Sequence, residues 1–341
     1  MTLNIQTGRR NLITDVTGLR VGNATDRGIL TGVTVVIPEN KMVAAADARG
    51  GAPGTREIAV LEPECLVEDV HALVLAGGSV FGLDAASAVT DELAQRGTGF
   101  RFGPQHWPCP IVPSAILFDL MNGGDKDWGG VPPYRRLGLE ALRAAGKDFE
   151  LGLAGAGAGA IAGSVKGGLG SASAVWQGAT VGALVAVNSV GSCFNHVTGL
   201  PWSIDYAVEA EMGPKEPLKT VPPQLPESKL DRMAGAAMPG ANTTLAIVAT
   251  DARLTKSEAK RIAIMAADGL AIAIRPLHTP FDGDTIFAAA TGCFELDGPR
   301  ALMVAKLGEI AAITLARAVG RALWEAQSAG NRRCWRELVN R

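Results

Sequence analysis

Short apolar runs separated by glycine turns mark the first third of the chain. Gly32–Ile37 (GVTVVI) and Met42–Ala46 have the length and β-branched content of strands. Ala72–Ala76 (ALVLA) is a further apolar run that meets Gly77–Gly78–Ser79. A helical pattern over Gly82–Gln95 follows, with Gly97 as its stop. Strand, glycine turn and helix in this order read as α/β. Residues 100–150 carry Trp107, Pro108, Pro110, Trp128, Pro132 and Pro133, and read as surface loop or pocket wall. The glycine-rich stretch Gly152–Ser173 leads to Val181–Val187, a buried strand ending at Asn188.

The periodicity is lost over residues 207–241, where six prolines and many charges predict an exposed, mobile connection. This stretch runs into Asn242–Thr243–Thr244 and then the apolar strand Leu245–Ala249. Thr255 with Glu258 three residues later is a capping box, opening a helix to about Ile272. Ile286–Ala290 is the next strand. A long helical pattern closes the chain from Pro299 to about Gln327. No composition break separates two folding units, so a single domain over residues 1–341 is expected.

Composition narrows the classes. The hydrophobic fraction is 47% and the net charge −2, with no basic block, which argues against nucleic acid. Glycine reaches 42 residues without a Gly-X-Y period, which suggests backbone packed closely on backbone. The five scattered cysteines lack a C-x-x-C pair, so neither a disulfide framework nor a zinc site is expected. A reducing, cytoplasmic setting fits better. No secretory h-region opens the chain and no apolar run is long enough for a membrane span.

Four places carry candidate chemistry. A threonine that begins a core strand holds a fixed position. Cleavage of the Asn242–Thr243 bond would leave its α-amine beside its own hydroxyl, the pairing of an N-terminal threonine nucleophile. Thr-Thr is equally an ordinary strand start. Asp282–Gly283–Asp284 either places two carboxylates on one side of an extended segment or makes a plain turn. Asn188, at a strand end, either donates to a developing oxyanion or caps a turn. Lys166 lies after a Gly155–Ala160 run (GAGAGA) that faintly resembles a dinucleotide loop, but G-x-x-x-x-G-K-[ST] is absent. Taken alone, Lys166 reads as a solvated lysine. The four histidines show no H-E-x-x-H, and Gly77–Gly78–Ser79 is not a G-x-S-x-G elbow. His278 lies near Asp282 in sequence and is a candidate pocket residue.

Together these segments resemble the DmpA-like family of aminopeptidase/D-esterases, β-peptidyl aminopeptidases and NylC-type nylon-oligomer hydrolases. The resemblance is carried by Asn11–Thr17, Asp47–Gly51 (DARGG), Leu75–Gly78 (LAGG), the GAGAG run at Gly155, Asn242–Thr244 and His278–Thr285 (HTPFDGDT). It implies a four-layer αββα sandwich. It also implies self-cleavage into residues 1–242 and 243–341, which stay associated and assemble into a homo-oligomer, often a tetramer. On this resemblance Thr243 is the nucleophile and Asp282 and Asp284 orient it. Lys166 takes part in the site, and Asn188 stabilises the oxyanion. No metal or organic cofactor is implied. The Thr and Asp-Gly-Asp pattern is nearer the NylC branch than the β-peptidyl branch. Phe118 departs from several relatives, which carry tyrosine there. The implied substrate is a small peptide, β-amino or ω-amino amide. An acyltransferase using the same threonine and a non-enzymatic binding protein are the alternatives.

Overall fold

The computed structural model describes residues 5–104, 106–217, 228–232 and 242–339. Its strands are β1 (Leu19–Asp26), β2 (Thr31–Pro38), β3 (Met42–Ala48), β4 (Thr55–Arg56), β5 (Asp69–Val70), β6 (Leu73–Ala76), β7 (Ser114–Ile116), β8 (Ile161–Ala162), β9 (Val165–Lys166), β10 (Leu169–Trp176), β11 (Ala179–Asn188), β12 (Thr243–Ala252) and β13 (Thr285–Phe294). The helices are α1 (Asp84–Gln95), α2 (Tyr134–Arg143), α3 (Lys256–Ala273), α4 (Arg300–Glu325) and α5 (Trp335–Leu338).

Two sheets carry the architecture. One runs β1-β2-β6-β7-β4 and the other β10-β11-β12-β13-β3-β5. Their inner faces meet in a core that includes Leu19, Val36, Ala44, Leu75, Leu184, Ile247 and Phe287. Helices α1 and α2 cover the outer face of the first sheet through Val33, Val74, Val89 and Leu137. Helices α3 and α4 cover the second through Val185, Val248, Ile286, Leu270 and Leu315. These are the four layers of an αββα sandwich. The alternation along β12 serves both cores: Leu245, Ile247 and Ala249 point between the sheets, and Ala246 and Val248 toward the helices.

The abundant small residues allow short distances between layers. A Cβ on Gly170 would lie 2.0 Å from the Ala318 carbonyl of α4, so only glycine lets this helix rest on β10. The capping box of α3 forms: Thr255 N–H donates to Glu258 and Glu258 N–H to the Thr255 hydroxyl. Glu258 also takes two hydrogen bonds from Arg300 at the start of α4, tying the two helices together.

Two segments differ from the expectation. Residues 100–150 are not all loop, because β7 and the amphipathic α2 lie within them. The proline run hides the helix start, yet Pro133 sits at its N-cap, where a missing N–H costs nothing. The GAGAGA run, which lacks the phosphate-loop spacing, opens no α-helix; Gly155–Gly157 form a single 3-10 turn. Its Gly155 and Ala156 amides donate to the Thr25 and Thr34 hydroxyls inside the fold. The expected mobile connection lies partly outside the described residues, at 218–227 and 233–241. Its beginning is packed: Met212 is buried with Leu200 and Ile204.

Glu211, in that same packed part, faces Arg317 of α4. Both charges are buried, and Arg317 donates to Glu211 at 2.7 and 2.9 Å, to the Ser173 carbonyl and to Asn11. Burial alone would raise the Glu211 carboxyl, but hydrogen bonds and charge from Arg317 outweigh it and hold the carboxyl below its usual value. Its contribution to stability is therefore present at neutral pH and is lost as pH falls through that lowered value. Glu211→Ala leaves the guanidinium buried without its carboxylate and should cost about 3–5 kcal/mol, read as a lower urea midpoint at pH 7. An unchanged midpoint would show that the pair carries no such weight.

Candidate active site

The strand ladder fixes Thr243 before any side chain acts. In the β11–β12 register Asn188 lies opposite Thr243, and β13 runs parallel on the other side with Thr285 beside Leu245. The chain just before β13 continues that pairing, with Asn242 bridged to Asp282. The Asp-Gly-Asp segment therefore lies alongside the Asn242–Thr243 peptide. It is held from behind by the Asp47–Gly51 segment and Ala52: Arg49 N–H donates to the Asp284 carbonyl and Ala52 N–H to the Asp282 carbonyl.

The Asn242 carbonyl accepts two hydrogen bonds. Thr243 Oγ donates to it at 2.5 Å and the Gly283 N–H at 2.8 Å. A Cβ on Gly283 would lie 2.6 Å from Thr243 Oγ and 2.7 Å from the Ala52 carbonyl, so glycine is what lets this backbone come so close. Thr243 is only 2% exposed and Asn242, Asp282 and Asp284 are each 1% exposed. In this continuous chain the four residues are closed off from solvent.

The two carboxylates have separate partners. Asp284 accepts from the Thr244 N–H at 2.7 Å through Oδ1, and from the His278 N–H and Nδ1 through Oδ2. His278 thus pairs with Asp284. Asp282 accepts from the Val190 N–H, the Thr279 N–H and the Thr279 hydroxyl. Burial, and then the nearby Asp284 charge, push the Asp282 carboxyl above its usual value.

Asn188 is fully buried at the end of β11. Its Oδ1 accepts from the Ile161 N–H and from Asn122, and its Nδ2 donates to the Phe118 carbonyl at 3.0 Å. Phe118 thus joins the cluster through its backbone, with a half-buried ring. Lys166 is 1% exposed, the opposite of a solvated lysine. Its ammonium donates to the Gly157, Ala160 and Gly167 carbonyls, and among the described residues it makes no hydrogen bond to Thr243. Desolvation pushes its pKa down to about 7, opposed by the buried Asp119.

A second lysine, which carries no motif in the sequence, enters the same cluster. Lys229 lies in the proline- and charge-rich stretch before Asn242. Its Nζ donates to the Asn242 side-chain oxygen at 2.6 Å and to the Ile161 carbonyl at 2.9 Å. The roles of Gly283 and Thr279 also become visible only in three dimensions.

The sequence profile of peptidase family S58 matches residues 11–334. The chain belongs to peptidase family S58. Amide-bond hydrolysis is the general chemistry of this S58 member. An uncharacterised aminopeptidase of Mycobacterium tuberculosis is 41% identical, over 96% of this chain and 98% of that protein. A 6-aminohexanoate-oligomer endohydrolase of Kocuria sp. is 31% identical over 86% of this chain and 78% of its own length. Among solved structures, a Burkholderia sp. β-aminopeptidase superposes with a TM-score of 0.72 at 21% identity, covering 100% of this chain and 95% of its own. The L-aminopeptidase D-Ala-esterase/amidase of Ochrobactrum anthropi, described as a variant of the Ntn-hydrolase fold, gives 0.69 at 19% identity, covering 97% and 90%. The fold of this chain is that Ntn-hydrolase variant.

The buried lysine has a measurable signature. Unfolded, Lys166 keeps its proton up to the ordinary lysine value of 10.5; folded, it keeps it only to about 7. Between these values unfolding takes up a proton, so stability should rise with pH. Lys229, also pushed down to about 7 by desolvation, contributes with the same sign. The urea midpoint of wild type should climb more steeply from pH 7 upward than that of Lys166→Met. Equal slopes would mean that this ammonium is not desolvated.

Proposed function

We propose that this S58 hydrolase cuts its own chain between Asn242 and Thr243 and then uses Thr243 as an N-terminal nucleophile. The observation that carries the reading is the Asn242 carbonyl, clasped by the Gly283 N–H while Thr243 Oγ lies against it. A backbone N–H aimed at a carbonyl oxygen is the donor that a developing oxyanion needs. Thr243 Oγ attacks the Asn242 carbonyl carbon, and the peptide nitrogen leaves with a proton as the Thr243 α-amine. The resulting ester joins Asn242 to Oγ. Water hydrolyses it, freeing the Asn242 carboxylate and the Thr243 hydroxyl.

In the second cycle the α-amine takes the Oγ proton while Oγ attacks an amide carbonyl of the substrate. The leaving amine departs, an acyl-threonine ester remains, and water releases the acid. Asp284 and Asp282 flank Thr243 from the β13 side and hold the new amine. Asn188, opposite Thr243 in the ladder, supplies a side-chain amide to the oxyanion, and Lys166 braces the Gly157–Gly167 turn that carries Ile161 against Asn188. The closed site of the uncut chain supports this order of events, since a substrate reaches Thr243 only after the connection before it is released. The substrates proposed are small peptide, β-amino or ω-amino amides with a free ammonium, in keeping with relatives named as an aminopeptidase and an aminohexanoate-oligomer hydrolase.

Intact mass of the denatured wild-type protein should show two pieces, residues 1–242 and 243–341, that together exceed the uncut chain by one water. Thr243→Ala should remain whole and inactive. An active wild-type preparation of uncut mass would refute the nucleophile, because Thr243 would have no free amine. For the substrate class, N-acetylation of a good amide substrate should lower kcat/KM by about tenfold or more, the worth of a charged hydrogen bond. Equal rates on both forms would remove the requirement for an ammonium.

A further inference from the structure

The Asn242 side chain presents a problem that its backbone does not. It is 1% exposed, and its Nδ2 has no hydrogen-bond partner among the described residues. Its one side-chain hydrogen bond among them comes from Lys229 Nζ at 2.6 Å. Lys229 is itself pinned. Its N–H donates to the Val190 carbonyl, Ser228 bridges Gly191, and its Nζ also donates to the Ile161 carbonyl. Val190 in turn donates to Asp282, and Ile161 to Asn188. The lysine therefore ties the segment just after β11 and the start of β8 to Asn242, the residue across the bond to be cut from Thr243.

We infer that Lys229 is a positioning residue for self-cleavage, which fixes the scissile peptide by clamping the Asn242 side chain. This rests on the self-cleavage reading above. Residue 242 is then held at two points. The Gly283 N–H holds its carbonyl and Lys229 holds its side chain, so the peptide plane cannot rotate the carbonyl away from Thr243 Oγ. Orientation of this kind is worth a large part of the barrier in an intramolecular reaction. A lysine is an expensive choice for such a place. Desolvation pushes its pKa down to about 7, opposed by Asp282, while Arg332 lowers it further and Cys193 raises it. Packing alone would be served by an apolar side chain. The clamp also assigns a requirement to position 242: a side chain with an acceptor.

The test is a double-mutant cycle on the rate of cutting, followed by pulse-labelled cell-free synthesis of the full chain. Lys229→Met should slow conversion by about tenfold or more, the loss of one charged hydrogen bond. Lys229→Gln, which keeps a neutral donor, should recover part of the rate. Asn242→Ala should slow cutting similarly, and adding Lys229→Met to it should slow it no further. A general folding defect would slow both backgrounds alike, so multiplicative losses in the double mutant overturn the clamp. Cutting of Lys229→Met as fast as wild type also overturns it, leaving self-cleavage intact. A wild-type chain that is never cut overturns the self-cleavage reading and the clamp with it.

Discussion

Strand β12 is the constraint on which the site depends. All ten of its residues are buried. It is paired on one edge with β11 and on the other with β13, and each of its faces lies in a different core. A shift of one residue would turn every side chain to the wrong layer. The register is therefore set by the apolar side chains of two cores and not by the polar groups at its start. Thr243 inherits a position it does nothing to secure. The same ladder brings Asn188 opposite it and the Asp-Gly-Asp segment beside it, so three polar clusters from distant parts of the chain meet at one end of a sheet.

Bringing those groups together removes them from water, and the chain meets that cost locally. Lys166 is solvated by three carbonyls of the turn in which it sits. Asp284 is solvated by two backbone amides and an imidazole, and Asp282 by two amides and a hydroxyl. Each ion is thus surrounded by dipoles that are themselves held in strands and tight turns. Such groups do not need to reorganise when charge moves, which is what preorganisation means in a water-poor site. The glycines serve the same end. Without a bare backbone at residue 283, its N–H could not reach the Asn242 carbonyl while Thr243 Oγ stays beside it.

The main strands and both long C-terminal helices were legible because each is a clean apolar pattern with a readable end. Thr255 and Glu258 marked the start of α3, and Asn188 marked the end of β11. The αββα layering came from family resemblance, since no local pattern states which sheet a strand joins. Helix α2 was hidden because proline clusters usually signal turns, and here the cluster precedes a helix and permits it. Lys166 looked solvated because a lone lysine among glycines carries no sign of the carbonyls that will surround it. Lys229 had no signal at all. Its stretch is proline-rich and charged, and its partner lies across a segment of chain whose path only the fold determines.

The order of strands in the larger sheet has one further consequence. β12 and β13 follow the Asn242–Thr243 bond, yet they lie between β11 and β3, which both precede it. A break in that bond would change the reversibility of unfolding. The intact chain folds as a one-body reaction at any dilution. Two separate pieces would have to find each other, and each alone would expose strand edges and apolar faces made to be covered by the other. A cut molecule that unfolds would therefore not return along the path that made it. Its persistence would depend on how slowly it comes apart, as a kinetic rather than an equilibrium property.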